Sequence, residues 1–238
     1  MSENKNYTYK NVINLKDEFS QPTIIINLVK KNSKVLDVGC GNGFLGRYLK
    51  EKCGCKVFGI EKNEVWANES QKYYDNVIIG DLNDERIWEK IQDKFDTVIL
   101  ADILEHLINP ETVLRQIKKV IQRDTDIIIS LPNIALWRIR LNLLMGKFNY
   151  TKRGILDKTH LRFFTLKTAK EMIIESGYKI QKVFVTQPQI PLEGKLKLSQ
   201  TPFIKNLLIE IKRVVSRFSP TFFATQFIFH CKIKNKTS

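Results

Sequence analysis

Long apolar runs are missing from this chain, and so is any pairing pattern among its few cysteines. No stretch approaches the ~18 consecutive apolar residues of a membrane-spanning helix, so the sequence argues against a bilayer span. The first nine residues are polar, which sets the expectation of no secretory leader and of a cytoplasmic protein. Cys53 and Cys55 stand too close for an ordinary disulfide and lack the second pair that a zinc site takes. With Cys40 and Cys231 they read as reduced thiols. Histidine is scarce, with three in 238 residues, so each one matters. Acid is also scarce: 25 Asp and Glu face 39 Lys and Arg, a formal net charge of +14. That excess suits nucleic acid, an anionic membrane surface or an acidic substrate without choosing among them. Repeats and low-complexity tracts are absent, and 43% hydrophobic residues are enough for one large core.

What is present is an alternation. Apolar runs over 34–38, 56–60, 76–79, 95–100 and 126–130 read as strands. Helical stretches at 44–51, 63–72 and 110–121 fall between them. Asn109, Pro110 and Glu111 form a helix start, with Asn109 as cap. Thr165 caps a later helix that Gly177 closes, and two more strands follow near 179–185 and 226–232. This order predicts an α/β fold, a mostly parallel sheet covered on both faces, in a single domain over 1–238. Two segments interrupt the rhythm. Residues 132–164 carry Trp137, Leu141, Leu144 and Phe148 among Arg138, Arg140 and Lys147, and are expected to form an acceptor lid. Residues 186–222 carry Phe203, Ile204, Leu207, Leu208, Ile211, Val214, Val215 and Phe218 at helical spacing, with Lys205, Lys212 and Arg217 interleaved.

The densest motif is Asp37-Val38-Gly39-Cys40-Gly41-Asn42-Gly43 at the end of the first strand. Glycines there let a ligand lie against the backbone. An acid two residues ahead of the turn suits a ligand with an ammonium and a sulfonium better than a pyrophosphate. Glu61 ends the second strand, where a carboxylate can accept from both hydroxyls of a ribose. Asp81 follows the third strand and can accept from an adenine amino group. Parallel strands deliver all three acids to one crevice.

These residues, followed by Asp96 to Asp102, resemble the ordered motifs of class I methyltransferases that use S-adenosylmethionine (SAM). The resemblance covers about residues 30–130. It implies a Rossmann-like seven-stranded sheet, parallel except for its last strand, with helices on both faces. It also implies SAM contacts by Asp37 and the glycine loop (Gly39, Cys40, Gly41, Gly43), by Glu61, and by Asp81 with Leu82 and Ala101. Methyl transfer mainly needs alignment of the nucleophile with the methyl group and exclusion of water.

On the acceptor side, Asp102, Glu105 and His106 have the spacing of one face of a helical turn. They can bind a divalent cation or hold a base. Equally, Asp102 can cap the turn with Glu105 completing a capping box. His160 lies in Asp157-Lys158-Thr159-His160, ahead of the Thr165 helix. This set looks like the acid-x-x-Glu-His stretch of ubiquinone-biosynthesis O-methyltransferases. It is also similar to small-RNA 2′-O-methyltransferases, where such a set holds a metal. Carried over, Asp102, Glu105, His106 and His160 are candidate ligands for Mg or Mn, with Glu105, His106 and His160 as candidate catalytic residues. Both groups carry Glu where this chain has the shorter Asp102. His230, inside the last strand, is expected to be structural.

Residues 131–165 and 220–227 resemble bacterial methyltransferases associated with cell-surface glycan assembly. That likeness implies a hydroxyl acceptor on a small-molecule or lipid-linked saccharide. RNA 2′-O-methylation is the rival activity, and SAM binding without catalysis the rival class. The basic 202–218 stretch fits either a helix packed on its own domain or peripheral contact with the inner membrane face.

Overall fold

The computed structural model describes residues 13–191 and 202–234. Seven strands form one sheet: β1 (Lys34–Val38), β2 (Lys56–Glu61), β3 (Asn76–Ile79), β4 (Phe95–Ala101), β5 (Ile121–Pro132), β6 (Tyr178–Thr186) and β7 (Gln226–Ile233). Their order is β3-β2-β1-β4-β5-β7-β6. β1 to β5 pair in parallel, and β7 runs antiparallel to both neighbours. The expected Rossmann-like sheet is present, antiparallel last strand included.

Strand alternation builds a core on each face. Leu36, Val38, Val98, Leu100, Ile127, Ile129, Phe227 and Phe229 point to one side. There they meet α4 (Pro110–Ile117) and α6 (Leu166–Glu175) through Val113, Leu114, Ile117, Met172 and Ile173. Val35, Val57, Ile99, Ile128 and Ile228 point to the other side. They meet α1 (Gln21–Leu28), α2 (Phe44–Cys53) and α3 (Glu64–Ser70) through Ile25, Leu49 and Ala67. Burial on both faces explains why these strands read as unbroken apolar runs.

Some expectations need correction. The helix from Pro110 ends at Ile117, not at 121, because Val120 and Ile121 turn into the core and the Val120 carbonyl accepts from the Phe95 N–H. β5 therefore starts at Ile121, well before 126. Asn109 precedes the helix without a side-chain cap; its backbone carbonyl takes the Thr112 N–H instead. A 3-10 helix over Glu85–Lys90, which the periodicity does not announce, seats Trp88 in the core. The Thr165 cap holds, its hydroxyl accepting from the Thr168 N–H in a capping box.

Residues 132–164, the segment expected to form a lid and called the lid below, contain one helix, α5 (Trp137–Leu144). In the late segment, α7 (Pro202–Phe218) precedes the short α8 (Pro220–Phe223). Ile204, Leu208, Ile211 and Val215 of α7 are half-buried, and Arg213 pairs with Glu18 at 2.8 Å, so α7 lies against the domain. The Phe203 side chain and residues 192–201 lie outside what is described. Among the described residues, no helix is long and apolar enough to cross a membrane.

Candidate active site

Strand order reverses between β1 and β4, and the crevice opens beyond their C-terminal ends. Asp37, buried, sits next to the end of β1. The Tyr74 hydroxyl donates to it at 2.7 Å and accepts from the Gly46 N–H at 3.1 Å. Burial pushes the Asp37 carboxyl up to about 6; the Tyr74 bond pulls it down and the nearby Glu61 charge adds to the rise. Glu61 ends β2, accepting from the Gly41 N–H and the Asn63 N–H at 2.8 Å each. Asp81 accepts from Lys62 Nζ at 2.7 Å and from the Asn83 N–H at 2.9 Å; those bonds, Lys62 first, hold its carboxyl below the usual range.

The turn between β1 and α2 explains its glycines. Gly41 has φ +54, and a Cβ there would meet nothing within 4 Å, so this side of the turn is open. Gly39 has φ +77, and a Cβ would lie 2.6 Å from Ile103. Gly43 also has a left-handed φ and precedes α2. Two carboxylates beside an open glycine turn make a site that favours a cation. SAM, whose ammonium donates and whose sulfonium is cationic, fits that pair of acceptors.

Not every expected contact faces the crevice. The Cys40 side chain turns into the core, 3.7 Å from Ser70 Oγ and against Gly59, so only its backbone borders the turn. Leu82 is buried in the core beside Ile87 and Trp88. Ala101 is half-buried at the end of β4.

The acceptor side is assembled from three segments. A 3-10 turn over Leu104–His106 carries Glu105 and His106. The lid returns beneath it: the Leu161 and Arg162 N–H groups donate to the Glu105 carbonyl at 2.8 and 3.1 Å. This docks His160 beside His106, ring centroids 4.7 Å apart. His160 Nδ1 lies 3.0 Å from the Ile155 carbonyl, which can only accept. Nδ1 therefore carries the hydrogen, and Nε2 keeps its lone pair. Burial, then the His106 charge, lower the His160 pKa. His160 Nε2 stands 4.0 Å from Glu105 Oε1, beyond hydrogen-bond range. The Glu105 side chain is 1% exposed, and neither of its oxygens has a partner. Burial, with the Asp102 charge adding, pushes its carboxyl well above the usual range. One ligand atom each from Glu105, His106 and His160 falls within 4.8 Å of the others.

Asp102 is not in that group. It lies just before the turn with φ +54, so it neither caps the turn nor shares a helical face with Glu105. Its carboxylate accepts from Ser130 Oγ at 2.6 Å, from Gln21 Nε2 at 2.9 Å and from Gln226 Nε2. Gln21, Ser130, Gln226 and Tyr74 are the residues that sequence reasoning missed. Asn133, buried at the end of β5, donates to the Thr221 and Ala224 carbonyls and anchors the lid root. His230 meets Asp126 at 2.6 Å, toward the opposite ends of the strands.

Related proteins match this architecture. Ubiquinone biosynthesis O-methyltransferase of Pseudomonas fluorescens (strain Pf0-1) is 30% identical over 112 residues, 45% of this chain and 47% of that protein. The mitochondrial ubiquinone biosynthesis O-methyltransferase of Homo sapiens is 27% identical over 161 residues, 63% of this chain and 42% of that protein. The matched part is thus under half the length of either relative, and both names carry ubiquinone, not a glycan. A SAM-dependent methyltransferase from Archaeoglobus fulgidus superposes with a TM-score of 0.61 at 20% identity, covering 88% of this chain and 90% of that one. A SAM-dependent methyltransferase from Thermotoga maritima, described as a possible histamine N-methyltransferase, gives 0.59 at 15% identity over 90% and 87%. The fold is that of SAM-dependent methyltransferases. Residues 20–212, from just before α1 into α7, match the family described as methionine biosynthesis protein MetW, and the chain belongs to that family.

Proposed function

We propose that this protein transfers a methyl group from SAM to an acceptor hydroxyl. The observation that carries the proposal is a single rim with two unlike halves. Asp37 and Glu61 flank an open glycine turn, and beyond β4 the same rim holds a His160 Nε2 with a free lone pair. SAM supplies a methyl carbon already activated by its sulfonium. Asp37 and Glu61 would hold the charged and hydroxyl-bearing ends of the cofactor. His160, its tautomer set by Ile155, would take the acceptor proton as the new C–O bond forms and the methyl C–S bond breaks, the sulfonium leaving as a neutral thioether. The lid would exclude water from the reacting atoms.

The saccharide or glycan-precursor hydroxyl implied by the sequence likeness is one narrow form of this proposal. A quinone-precursor hydroxyl, suggested by the names of the relatives, is another. A divalent metal such as Mg or Mn fits the acceptor half, because Glu105 is buried without a protein partner and lies near His106 and His160. With a metal bound, those three residues would hold it, His160 Nε2 would be a ligand in place of acting as the base, and the metal's charge would favour loss of the acceptor proton.

Titration calorimetry with SAM tests the cofactor half. Micromolar binding should fall about 100-fold in the Asp37→Ala/Glu61→Ala variant, as expected for lost hydrogen bonds to charged groups. His160→Ala should keep that binding and lose product in an acceptor screen covering sugar nucleotides, lipid-linked glycans and phenols. Absence of SAM binding by the folded wild type would refute the proposal.

A further inference from the structure

The lid exposes more apolar surface than its role in closing a pocket requires. Every residue from Arg140 to Gly154 is exposed. α5 buries only Ile139. Leu144 is 85% exposed, and Leu141, Leu143, Met145 and Tyr150 are each about half exposed or more. The tip closes on Gly146 at φ +70, where a Cβ would meet nothing within 4 Å. A cluster of bulky aliphatic side chains in water at one tip marks an interaction surface.

The charge around the tip identifies the partner. Between residues 134 and 156 there is no acidic residue, while Arg138, Arg140, Lys147, Lys152 and Arg153 fall in the same span. Apolar residues at a tip, flanked in the sequence by cations with no acid among them, match the boundary between lipid headgroups and acyl chains. α5 is eight residues long, which suits a shallow insertion and not a span. A second copy of the chain fits poorly, since a two-fold contact through this patch would bring two cationic spans together. RNA would use the cations, but it gives no reason for exposed Leu143, Leu144 and Met145, which offer no face for a base to stack on.

We infer that the exposed 141–150 tip of the lid inserts shallowly into an anionic lipid surface, with the surrounding Arg and Lys residues on the headgroups. The site lies on the lid; the 202–218 helix, for which the sequence allows either domain packing or membrane contact, lies against the domain. Phe148 meets Phe163 edge to face at 5.7 Å between centroids, Tyr150 lies tilted to it at 6.2 Å, and Phe163 lies 6.3 Å from the His160 ring. The tip is thus joined to the acceptor half by an aromatic chain. The inference does not depend on methyl transfer and is tested without it.

The experiment is co-sedimentation of the full chain with two kinds of vesicle, phosphatidylcholine alone and phosphatidylcholine with about one third phosphatidylglycerol. Binding should require the anionic lipid and persist at moderate salt. Leu144→Asp/Met145→Asp should weaken it about tenfold or more, with melting temperature and SAM affinity unchanged. Arg138→Glu/Lys147→Glu should weaken it as well. Three results would overturn the inference. One is no binding to anionic vesicles. Another is binding that the aspartate pair leaves intact, which would mean adsorption through the overall positive charge. The third is tighter binding to RNA, or self-association, that the aspartate pair abolishes while vesicle binding stays.

Discussion

The two halves of the rim differ in how much they ask of a ligand. On the cofactor side every expected acid already has partners: Asp37 has Tyr74, Glu61 has two backbone N–H groups, and Asp81 has Lys62 and Asn83. On the acceptor side Glu105 is buried with nothing bonded to either oxygen, and His160 Nε2 faces it from just beyond bonding distance. A satisfied site is preorganised, and it binds without first being rebuilt. An unsatisfied buried carboxyl destabilises the fold by about 1–3 kcal/mol, and such strain persists where the site gains from it. The cofactor half is therefore a finished scaffold, whereas the acceptor half is completed by whatever enters it.

The sharpest way to break this contrast is Glu105→Leu. Removing a buried carboxyl without partners should raise the melting temperature, by about 1–3 kcal/mol of stability. The same change should lower turnover about 10²- to 10⁴-fold, the range for a lost acid, base or ligand. SAM affinity should hold. Thermal denaturation, calorimetry and a product assay on one preparation read all three. A Leu variant that melts lower than wild type would show that Glu105 is structurally satisfied after all.

A smaller effect separates the halves by pH. Asp37 titrates near 6 in the fold and at 3.8 when unperturbed. A raised carboxyl penalises the folded state while it is ionised, that is above about 6, and the penalty fades as pH falls toward the unfolded value. A cationic ligand needs the ionised form. SAM affinity should therefore be full above pH 6 and fall below it, by at most about tenfold per pH unit. Over the same window the ligand-free protein should gain stability relative to Asp37→Asn. Calorimetry and melting curves between pH 7 and 5 should thus move in opposite directions. Parallel movement would mean that Asp37 does not meet the cofactor.

The sequence shows the cofactor half well because Asp37 and Glu61 close apolar runs that bury themselves in the sheet, and Asp81 comes one glycine after a third run. It shows the acceptor half only as spacing. Asp102, Glu105 and His106 look equivalent in the chain, yet Asp102 is diverted by Gln21 and Gln226, 81 and 124 residues away. No local pattern reports partners at that separation. Tyr74 leaves a trace in two glycines. Gly46 sits inside α2 and Gly59 inside β2, where glycine weakens regular structure. A Cβ at Gly46 would lie 2.1 Å from the Tyr74 ring, and one at Gly59 would lie 3.0 Å from it. The two glycines are the space that the tyrosine fills. The early helix end and the early start of β5 are hidden for another reason: Val120 and Ile121 fit the helical period and the strand equally well.

Tyr74→Phe gives the next smaller effect. It keeps the ring in its pocket and removes only the hydroxyl that bonds Asp37 and Gly46. The Asp37 carboxyl loses the bond that pulls its pKa down, so its titration should move further up, and the pH at which SAM affinity begins to fall should move with it. At pH 8, where Asp37 stays ionised, the loss should be about five- to tenfold, near 1 kcal/mol.

His230→Gln should do least. Asp126, its partner at 2.6 Å, also pairs with Lys232 at 2.7 Å and Lys30 at 3.3 Å, so it keeps two cations when the imidazole is gone. Asp126 lies midway along β5, opposite Thr97 near the start of β4, whereas both halves of the rim lie beyond the C-terminal ends of the strands. Stability should fall by no more than about 1 kcal/mol, with SAM affinity and turnover unchanged. Of the three histidines, this is the one whose loss should register in a melting curve and nowhere else. A drop in turnover without a drop in melting temperature would tie the far end of the sheet to the chemistry, and the division between scaffold and site would have to be redrawn.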